Sequence, residues 1–189
     1  MNGASEPNLI DSFGEFIFAW DFSSPPAVLF LLLAAAYTIG TIRLAVRSDT
    51  NGSFWSKVGT SYFAFALLAF ALAGPLDYFS GDLFAMHMSQ HLVIAMFAAP
   101  LLLVGRPMPA YIWALPRPLR IGAGSALTGS GIIVRVLTLL TLPKVALPLF
   151  IGTLYGWHIP AAYNGSLENE WVHLIMHFTM FSTAVLFWW

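Results

Sequence analysis

Apolar stretches of about twenty residues recur along this chain with few charges inside them, and that is the length a helix needs to cross a bilayer. Hydrophobic residues make up 58% of the chain and charged residues only 9%, whereas charged residues approach about a quarter of a soluble domain. Because lipid offers the backbone no hydrogen-bond partners, spanning segments of this length are expected to be helices. The sequence therefore predicts an all-α, multi-span transmembrane helix bundle.

Five spans are predicted within a bundle over residues 27–189, at about residues 27–46, 58–75, 83–104, 139–158 and 171–189. Residues 1–26 are predicted to form an extracytoplasmic N-terminal segment, with an amphipathic helix over residues 9–20. Residues 128–142 are only weakly apolar and contain Arg135. That charge favours a helix lying in the interface over a spanning helix, and both alternatives stay open.

Charged residues fix the orientation of the bundle. These spans put all eight basic residues on one side, which the positive-inside rule makes cytoplasmic: Arg43, Arg47, Lys57, Arg106, Arg117, Arg120, Arg135 and Lys144. The other side holds nearly all the acids, namely Glu6, Asp11, Glu15, Asp21, Asp77, Asp82, Glu168 and Glu170. Only Asp49 lies inside. A wrong number of spans would mix the two signs, so the separation supports an N-terminus outside the cytoplasm.

Several classes of protein are disfavoured by what the sequence lacks. It has no cysteine, which excludes disulfides, thiolate metal sites and iron–sulfur clusters. The first residues show no basic region followed by a short apolar core, so we expect the N-terminus to be retained. No phosphate-binding glycine loop, nucleophile elbow or basic nucleic-acid face occurs. We therefore expect neither an enzyme nor a nucleic-acid-binding protein.

Histidines occur in two pairs with the same spacing. His87 and His91 lie one helical turn apart on the third predicted span, and His173 and His177 repeat that spacing on the fifth. His158 lies at the outer end of the fourth. All five therefore fall in the outer half of the bilayer. A lone intramembrane histidine is best explained by a hydrogen bond to a neighbouring helix, but two pairs and a fifth at one depth favour a metal site.

The identity of the metal depends on the neighbours of the histidines, since imidazole alone suits zinc, copper, iron and nickel alike. Met88 adjoins the first pair and Met180 follows the second pair on the same stripe, and soft thioethers favour Cu(I). Methionine in an apolar helix more often serves packing. Gln90 is a candidate for orienting a ligand. Asp77 and Asp82 are expected to lie in a solvated turn.

At this point the sequence resembles the polytopic CtaG-type family of cytochrome c oxidase assembly factors. The stretches that carry the resemblance are Trp20-Asp21, His87-Met88-Ser89-Gln90-His91, Ala99-Pro100-Leu101-Leu102, Gly105-Arg106-Pro107, Trp157-His158-Ile159-Pro160-Ala161 with Tyr163, and His173 and His177 leading to Trp188-Trp189. They follow one another in the expected order over most of the chain.

The resemblance implies a protein of the bacterial plasma membrane that helps to mature a haem–copper oxidase. It would supply or retain copper for the oxidase subunit that carries the active-site copper, with a copper chaperone as a further partner. Members of this family usually continue through about two further spans, so we expect this chain to be incomplete.

Two other functions stay open on the sequence alone. A haem-binding redox protein would use histidines from two helices as axial ligands, although paired histidines on each helix do not suit that geometry. A metal transporter would need a polar path through the inner leaflet. Below His91 and His177 the residues are mainly apolar, namely Ile94, Ala98, Met180 and Ala184.

Overall fold

The computed structural model describes residues 18–48, 50–128 and 131–189, together with Gly14. Regular structure in this part of the chain is helical, without a strand, which confirms the predicted all-α fold. The helices are α1 (Pro25–Ala45), α2 (Gly52–Leu72), α3 (Pro75–Tyr78), α4 (Phe84–Leu92), a π-helical segment (Val93–Ala98), α5 (Ala99–Gly105), α6 (Met108–Ala114), α7 (Arg117–Leu127), α8 (Ile132–Leu140), α9 (Pro143–Trp157), α10 (Pro160–Glu168) and α11 (Glu170–Trp188). The predicted amphipathic helix over residues 9–20 lies almost entirely outside the described residues.

Four helical stretches are long and apolar enough to cross a membrane: Pro25–Ala45, Gly52–Tyr78, Phe84–Gly105 and Glu170–Trp188. Two bent pairs also meet this test when each pair counts as one span, which raises the number among the described residues to as many as six. These pairs are α7 with α8, bent by 56°, and α9 with α10, bent by 70°. The chain is thus a multi-span helical bundle.

Helix α2 begins at Gly52, whereas the sequence predicted a span from about residue 58. The earlier start follows from Asn51, whose side-chain oxygen accepts a hydrogen bond from the Phe54 backbone N–H at 3.0 Å and so caps the helix. The residues before Val58 therefore form the first turns of α2 instead of a loop.

Helix α9 begins at Pro143, so the predicted fourth span over residues 139–158 does not begin as one helix near Leu139. Proline disfavours helical geometry in the residue before it, and Leu142 is accordingly extended, with a ψ of 132°. With 15 residues, α9 is about 22 Å long and by itself shorter than a hydrocarbon core of roughly 30 Å. Pro148 is tolerated inside α9.

Helix α8, which carries Arg135, has nine residues. At about 1.5 Å per residue it covers less than half of the hydrocarbon core, so it cannot cross a bilayer alone. Its side chains are largely exposed in the bundle. Its location in the membrane interface stays a prediction.

The core lies where α1, α2, the π-helical segment and α5 meet, with α6 folded back against α1. Its buried apolar side chains are Phe30, Tyr37, Ala64, Phe65, Leu68, Ala71, Leu76, Ile94, Ala98, Leu102 and Ala110. Helices α1 and α6 approach so closely that a Cβ at Gly40 would overlap the backbone carbonyl of Ala110. Small residues that let two backbones touch are typical of helix contacts in membranes.

Helix α4 continues into π geometry at Val93–Ala98 before α5 resumes the α form. Pro100 accounts for the change, because proline has no N–H and its ring would clash with the carbonyl of Met96 in an α-helix. In the π segment the Ala99 N–H bonds the Ile94 carbonyl, five residues earlier. The chain thus passes Pro100 with a local widening of the helix and without a break.

The π segment leaves the Ala95 carbonyl without a backbone donor, because its partner in this pattern would be Pro100. Trp188 supplies the missing donor, and its Nε1–H lies 2.9 Å from the Ala95 oxygen. An unsatisfied carbonyl inside a membrane would cost several kcal/mol, so this bond fixes the end of α11 against the helix that begins with α4.

Arginine side chains gather at the end of the bundle far from the start of α4. Arg43 donates to the backbone oxygens of Trp113 and Ala114 at 3.4 and 2.7 Å. The guanidinium of Arg120 lies 4.3 Å from the centre of the Trp113 ring. Because α6 follows α5 after a short turn, this arginine cluster lies at the opposite end of the span that begins at Phe84.

Replacing Gly40 by alanine should destabilise the bundle, because the added methyl group would meet backbone that can move only by separating α1 from α6. Overpacking of this kind costs about 1–3 kcal/mol. The matched control is Gly59→Ala, since Gly59 lies within α2 and nothing lies within 4 Å of a Cβ added there. Tryptophan fluorescence during heating in detergent should show a lower melting temperature for Gly40→Ala alone. Equal melting temperatures would contradict this close contact.

Candidate metal centre

Helix α4 places His87 and His91 on the face that points into the bundle. His87 is 0% exposed and His91 is 3% exposed, and their Nε2 atoms lie 2.8 Å apart. Two neutral imidazoles in this arrangement share one proton, so the accepting ring carries its own proton on Nδ1. Neither Nδ1 atom has a hydrogen-bond partner in the described part of the chain, although both are buried. The pair therefore satisfies only half of its hydrogen-bonding capacity.

Helix α11 repeats this geometry with His173 and His177. Their Nε2 atoms also lie 2.8 Å apart, with ring centres at 4.4 Å. His177 is 4% exposed, and its Nδ1 is buried without a partner among the described residues. The shared i, i+4 spacing thus produces the same ring-to-ring contact on two different helices.

The distance within each pair fits coordination of one metal ion. Two nitrogen atoms that bind one ion at about 2.0 Å lie about 2.8 Å apart at a right angle and about 3.3 Å apart at the tetrahedral angle. Both pairs could therefore hold an ion through Nε2 with little movement of either helix.

His158 follows α9 and points its ring towards α4. Its Nδ1 lies 2.6 Å from the Leu154 carbonyl, and since a carbonyl can only accept, Nδ1 carries the proton. In the neutral ring, Nε2 is then a bare lone pair, and it faces the Met88 sulfur at 3.2 Å. Neither atom has a proton to donate to the other. The His158 nitrogen and the Met88 sulfur both present a lone pair to the space between them, and a soft cation would bind to such a pair of donors.

All five predicted histidines come together from three parts of the chain. The ring centres of His91 and His177 are 5.6 Å apart, and those of His91 and His158 are 5.7 Å apart. His87 and His158 are 6.4 Å apart by the same measure. The cluster draws its rings from α4, α11 and the end of α9, while metal binding by these residues stays a prediction.

Gln90 forms no hydrogen bond with a histidine among the described residues, and its role in orienting a metal ligand stays a prediction. Its Nε2 donates to the Ala71 carbonyl at 2.8 Å and to Oδ1 of Asp77 at 2.7 Å. Gln90 is completely buried, and its own Oε1 has no partner within the described chain. It therefore connects α4 to the end of α2 and to α3.

Asp77 is the residue of this cluster that the sequence analysis did not place. It was expected in a solvated turn with Asp82, but it is half-buried in α3, whereas Asp82 is exposed. One ligand atom each from Asp77, His173 and His177 lies within 4.8 Å of the other two. Nothing in the spacing of the sequence distinguishes the two acids. The two acids differ in that Asp77 lies in the one-turn helix that begins at Pro75, whereas Asp82 lies after it.

The remaining predicted residues differ in position. Met88 contacts the cluster through His158, whereas Met180 is fully buried and no hydrogen bond joins it to a histidine in the described ranges. An aromatic ring also contacts the histidine cluster: Tyr163 of α10 packs edge-on against His87, with ring centres 5.2 Å apart. Trp157 donates to the Thr179 hydroxyl at 2.9 Å and so joins the end of α9 to α11.

Two curated relatives resemble the chain: uncharacterized protein Mb0105 of Mycobacterium bovis (strain ATCC BAA-935 / AF2122/97) and uncharacterized protein MT0111 of Mycobacterium tuberculosis (strain CDC 1551 / Oshkosh). Each is 27% identical over 177 residues, which cover 90% of this chain and 26% of the relative. The chain therefore spans about a quarter of the length of these relatives. No solved structure matches.

A family match covers most of the chain. Residues 35–189 match the family described as cytochrome c oxidase caa3 assembly factor, Caa3_CtaG. The matched region contains all five histidines, Met88 and Asp77. It confirms the resemblance drawn from the sequence, and the chain belongs to the Caa3_CtaG family of cytochrome c oxidase caa3 assembly factors.

Proposed function

We propose that this chain binds copper in its histidine cluster and holds or delivers it while cytochrome c oxidase is assembled. The observation that carries the proposal is the convergence of five histidines from α4, α11 and the end of α9, with Nε2 atoms 2.8 Å apart within each pair. The protein acts as an assembly factor and not as an enzyme. Its partner is the oxidase subunit that carries the active-site copper, and a copper chaperone would load it.

The choice of copper rests on the donor atoms. The chain has no cysteine, so the soft ligand available beside imidazole is a thioether. Met88 supplies one, with its sulfur 3.2 Å from the lone pair of His158. A set of imidazoles with one thioether suits Cu(I) better than the hard divalent ions. When bound, the ion would be the cargo, and His87, His91, His158 and Met88 would retain it.

The extracytoplasmic location of the cluster is supported by the opposite positions of two groups of residues. The histidines lie near the start of the span Phe84–Gly105, and the arginine cluster around Trp113 lies beyond its end. Basic residues favour the cytoplasmic side of a membrane. The histidines then face outside, at the bacterial plasma membrane, where copper would enter without crossing the bilayer.

A haem-binding role is less consistent with the packing. A cavity of about 600 Å³ is lined by Arg106, Tyr111 and Trp189 at the other end of the bundle, and no described histidine lines it. A haem needs a flat slot between its axial ligands, whereas the rings within each histidine pair contact directly.

A transport role is less consistent with what lies below the cluster. Ile94, Ala98, Met180 and Ala184 are each 0–1% exposed and form closely packed apolar layers under the histidines. An ion moving inwards would have to cross these layers without a polar partner, which is costly. Retention at the outer face, followed by delivery to a partner, fits this packing better.

Copper content tests the proposal directly. After loading with Cu(I) under reducing conditions and removal of excess, the wild-type chain should retain at least one copper per chain by elemental analysis. The variant His87→Ala/His91→Ala should retain at least one copper fewer per chain, because it loses two of the proposed ligand nitrogens. Negligible copper in a folded wild-type protein would overturn the proposal.

Methionine variants separate ligation from packing. Replacing Met88 by leucine should weaken Cu(I) binding by about tenfold or more, the usual effect of losing a group that supports a metal site. Met86→Leu is the matched control, since Met86 is two residues away and packs against the apolar core. Competition with a Cu(I) chelator provides the affinities. Equal affinities for the two variants would exclude Met88 as a ligand.

Oxidase assembly can be measured in cells that depend on this chain for the activity. Membranes from cells expressing His87→Ala/His91→Ala should show oxidase activity close to that of cells without the chain, while Asp82→Asn should behave as wild type. Added copper should restore part of the activity if supply is the defect. Full oxidase activity with the histidine variant, at equal protein level, would separate assembly from the histidine cluster.

A further inference from the structure

The cluster contains more potential metal ligands than one ion can take. Five imidazoles, the Met88 sulfur and the Asp77 carboxylate offer seven ligand groups. Zinc and copper usually bind about four ligands in proteins. Either some of these groups are spectators or the cluster divides between two ions.

The distances divide the ligands into two groups. The first group contains His87, His91, His158 and Met88, all on α4 or at the end of α9. The second contains His173, His177 and Asp77, whose ligand atoms lie within 4.8 Å of one another. Ring centres are 4.3 and 4.4 Å apart within the two histidine pairs, whereas those of His91 and His177, which adjoin across the groups, are 5.6 Å apart. The ring centre of His158 lies 5.7 Å from that of His91, and His158 belongs to the first group through its contact with the Met88 sulfur at 3.2 Å.

Asp77 is held in a way that leaves it able to bind a cation. One carboxylate oxygen, Oδ1, accepts the hydrogen bond from Gln90, which fixes the orientation of the group. A carboxylate oxygen of Asp77 also lies within 4.8 Å of a ring nitrogen of His173 and of His177. Gln90 is fully buried and is itself held by the Ala71 carbonyl, so the carboxylate has a rigid support.

The two groups differ in charge and in softness. The first group consists of neutral imidazoles and a thioether, which suits a monovalent, soft ion. The second group adds a carboxylate, which is harder and brings a negative charge. Such a charge favours a divalent ion among buried groups, because burying a cation without a compensating anion is costly. The second group therefore suits Zn²⁺ or Cu²⁺ better than Cu(I).

We propose that Asp77, His173 and His177 form a second metal subsite, which binds a divalent ion of the copper–zinc class beside the Cu(I) ligands His87, His91, His158 and Met88. The inference rests on the proposed copper function for the first ion. The second subsite stands on its own geometry. The two subsites adjoin through the rings of His91 and His177, so that an assembly factor of this design would keep two ions, or two oxidation states of copper, in separate places.

The test uses the whole chain in detergent, stripped of metal by a chelator and then given one equivalent of Cu(I) followed by excess Zn²⁺. Elemental analysis after removal of free metal should find one copper and one zinc per wild-type chain. The variant Asp77→Asn should keep its copper but bind zinc about 10–100-fold more weakly. This substitution preserves shape, and its amide oxygen can still accept the bond from Gln90. Asp82→Asn is the matched control and should keep both metals.

The histidine pairs provide the reciprocal result. His173→Ala/His177→Ala should lose zinc and keep copper, and His87→Ala/His91→Ala should lose copper and keep zinc. The metal that remains shows that each variant is folded. With Cu²⁺ in place of zinc, nitrogen hyperfine structure in the electron paramagnetic resonance spectrum should disappear with the first of these variants.

The outcomes distinguish the two proposals. Copper without zinc in the wild-type chain would overturn the second subsite and leave the copper proposal intact. Zinc binding that is unchanged in Asp77→Asn would also overturn it, since the carboxylate would then be no ligand. Neither metal in a folded wild-type chain would overturn both.

Discussion

The bilayer core offers no water, so each polar group inside this bundle must find its partner within the chain. That requirement explains the contacts that hold the helices in register. The amide of Gln90 bonds the Ala71 carbonyl and the Asp77 carboxylate, and the indole of Trp188 bonds the carbonyl that the π segment leaves open at Ala95. The histidines obey the same rule only in part, because each pair shares a single bond and leaves buried Nδ1 atoms without partners. Among the described residues, the cluster therefore brings together several buried imidazole nitrogens that retain unused binding capacity.

Much of the fold and of the cluster follows from periodicity and charge. The spans follow from apolar length, and the histidine pairs follow from the i, i+4 spacing, because both are properties of a single helix. The features that were missed depend on contacts between elements. Asp77 reaches the cluster because a one-turn helix redirects the chain after Gly74, and Asn51 starts α2 early through a cap. The π segment results from Pro100, whose effect on the preceding turns is known but whose outcome, a kink or a widening, depends on packing.

Membership of an assembly-factor family raises the question of how accessible the histidine cluster is to a partner protein. A protein that hands over a metal must bind it firmly enough to protect it and must not enclose it. Here the first histidine pair and His177 are buried, while His158 and His173 are half-buried and Tyr163 packs over His87 from a separate helix. Under the proposed function, the half-buried His158 and His173 are the imidazoles that a partner could reach first.

The π segment at Val93–Ala98 has a further consequence for how the histidine face is oriented. Each residue of an α-helix advances the side-chain direction by about 100°, and a π turn absorbs one residue without a matching rotation. The face of α4 that bears His87 and His91 and the face of α5 that packs on α2 through Gly105 are therefore offset from the pattern of one regular helix. Had the segment remained α-helical, His91 and Gly105 would point in nearly the same direction, and the imidazoles would turn towards α2. The direction of the imidazoles is thus set by a count of backbone residues, independently of the chemistry of the residues that surround them.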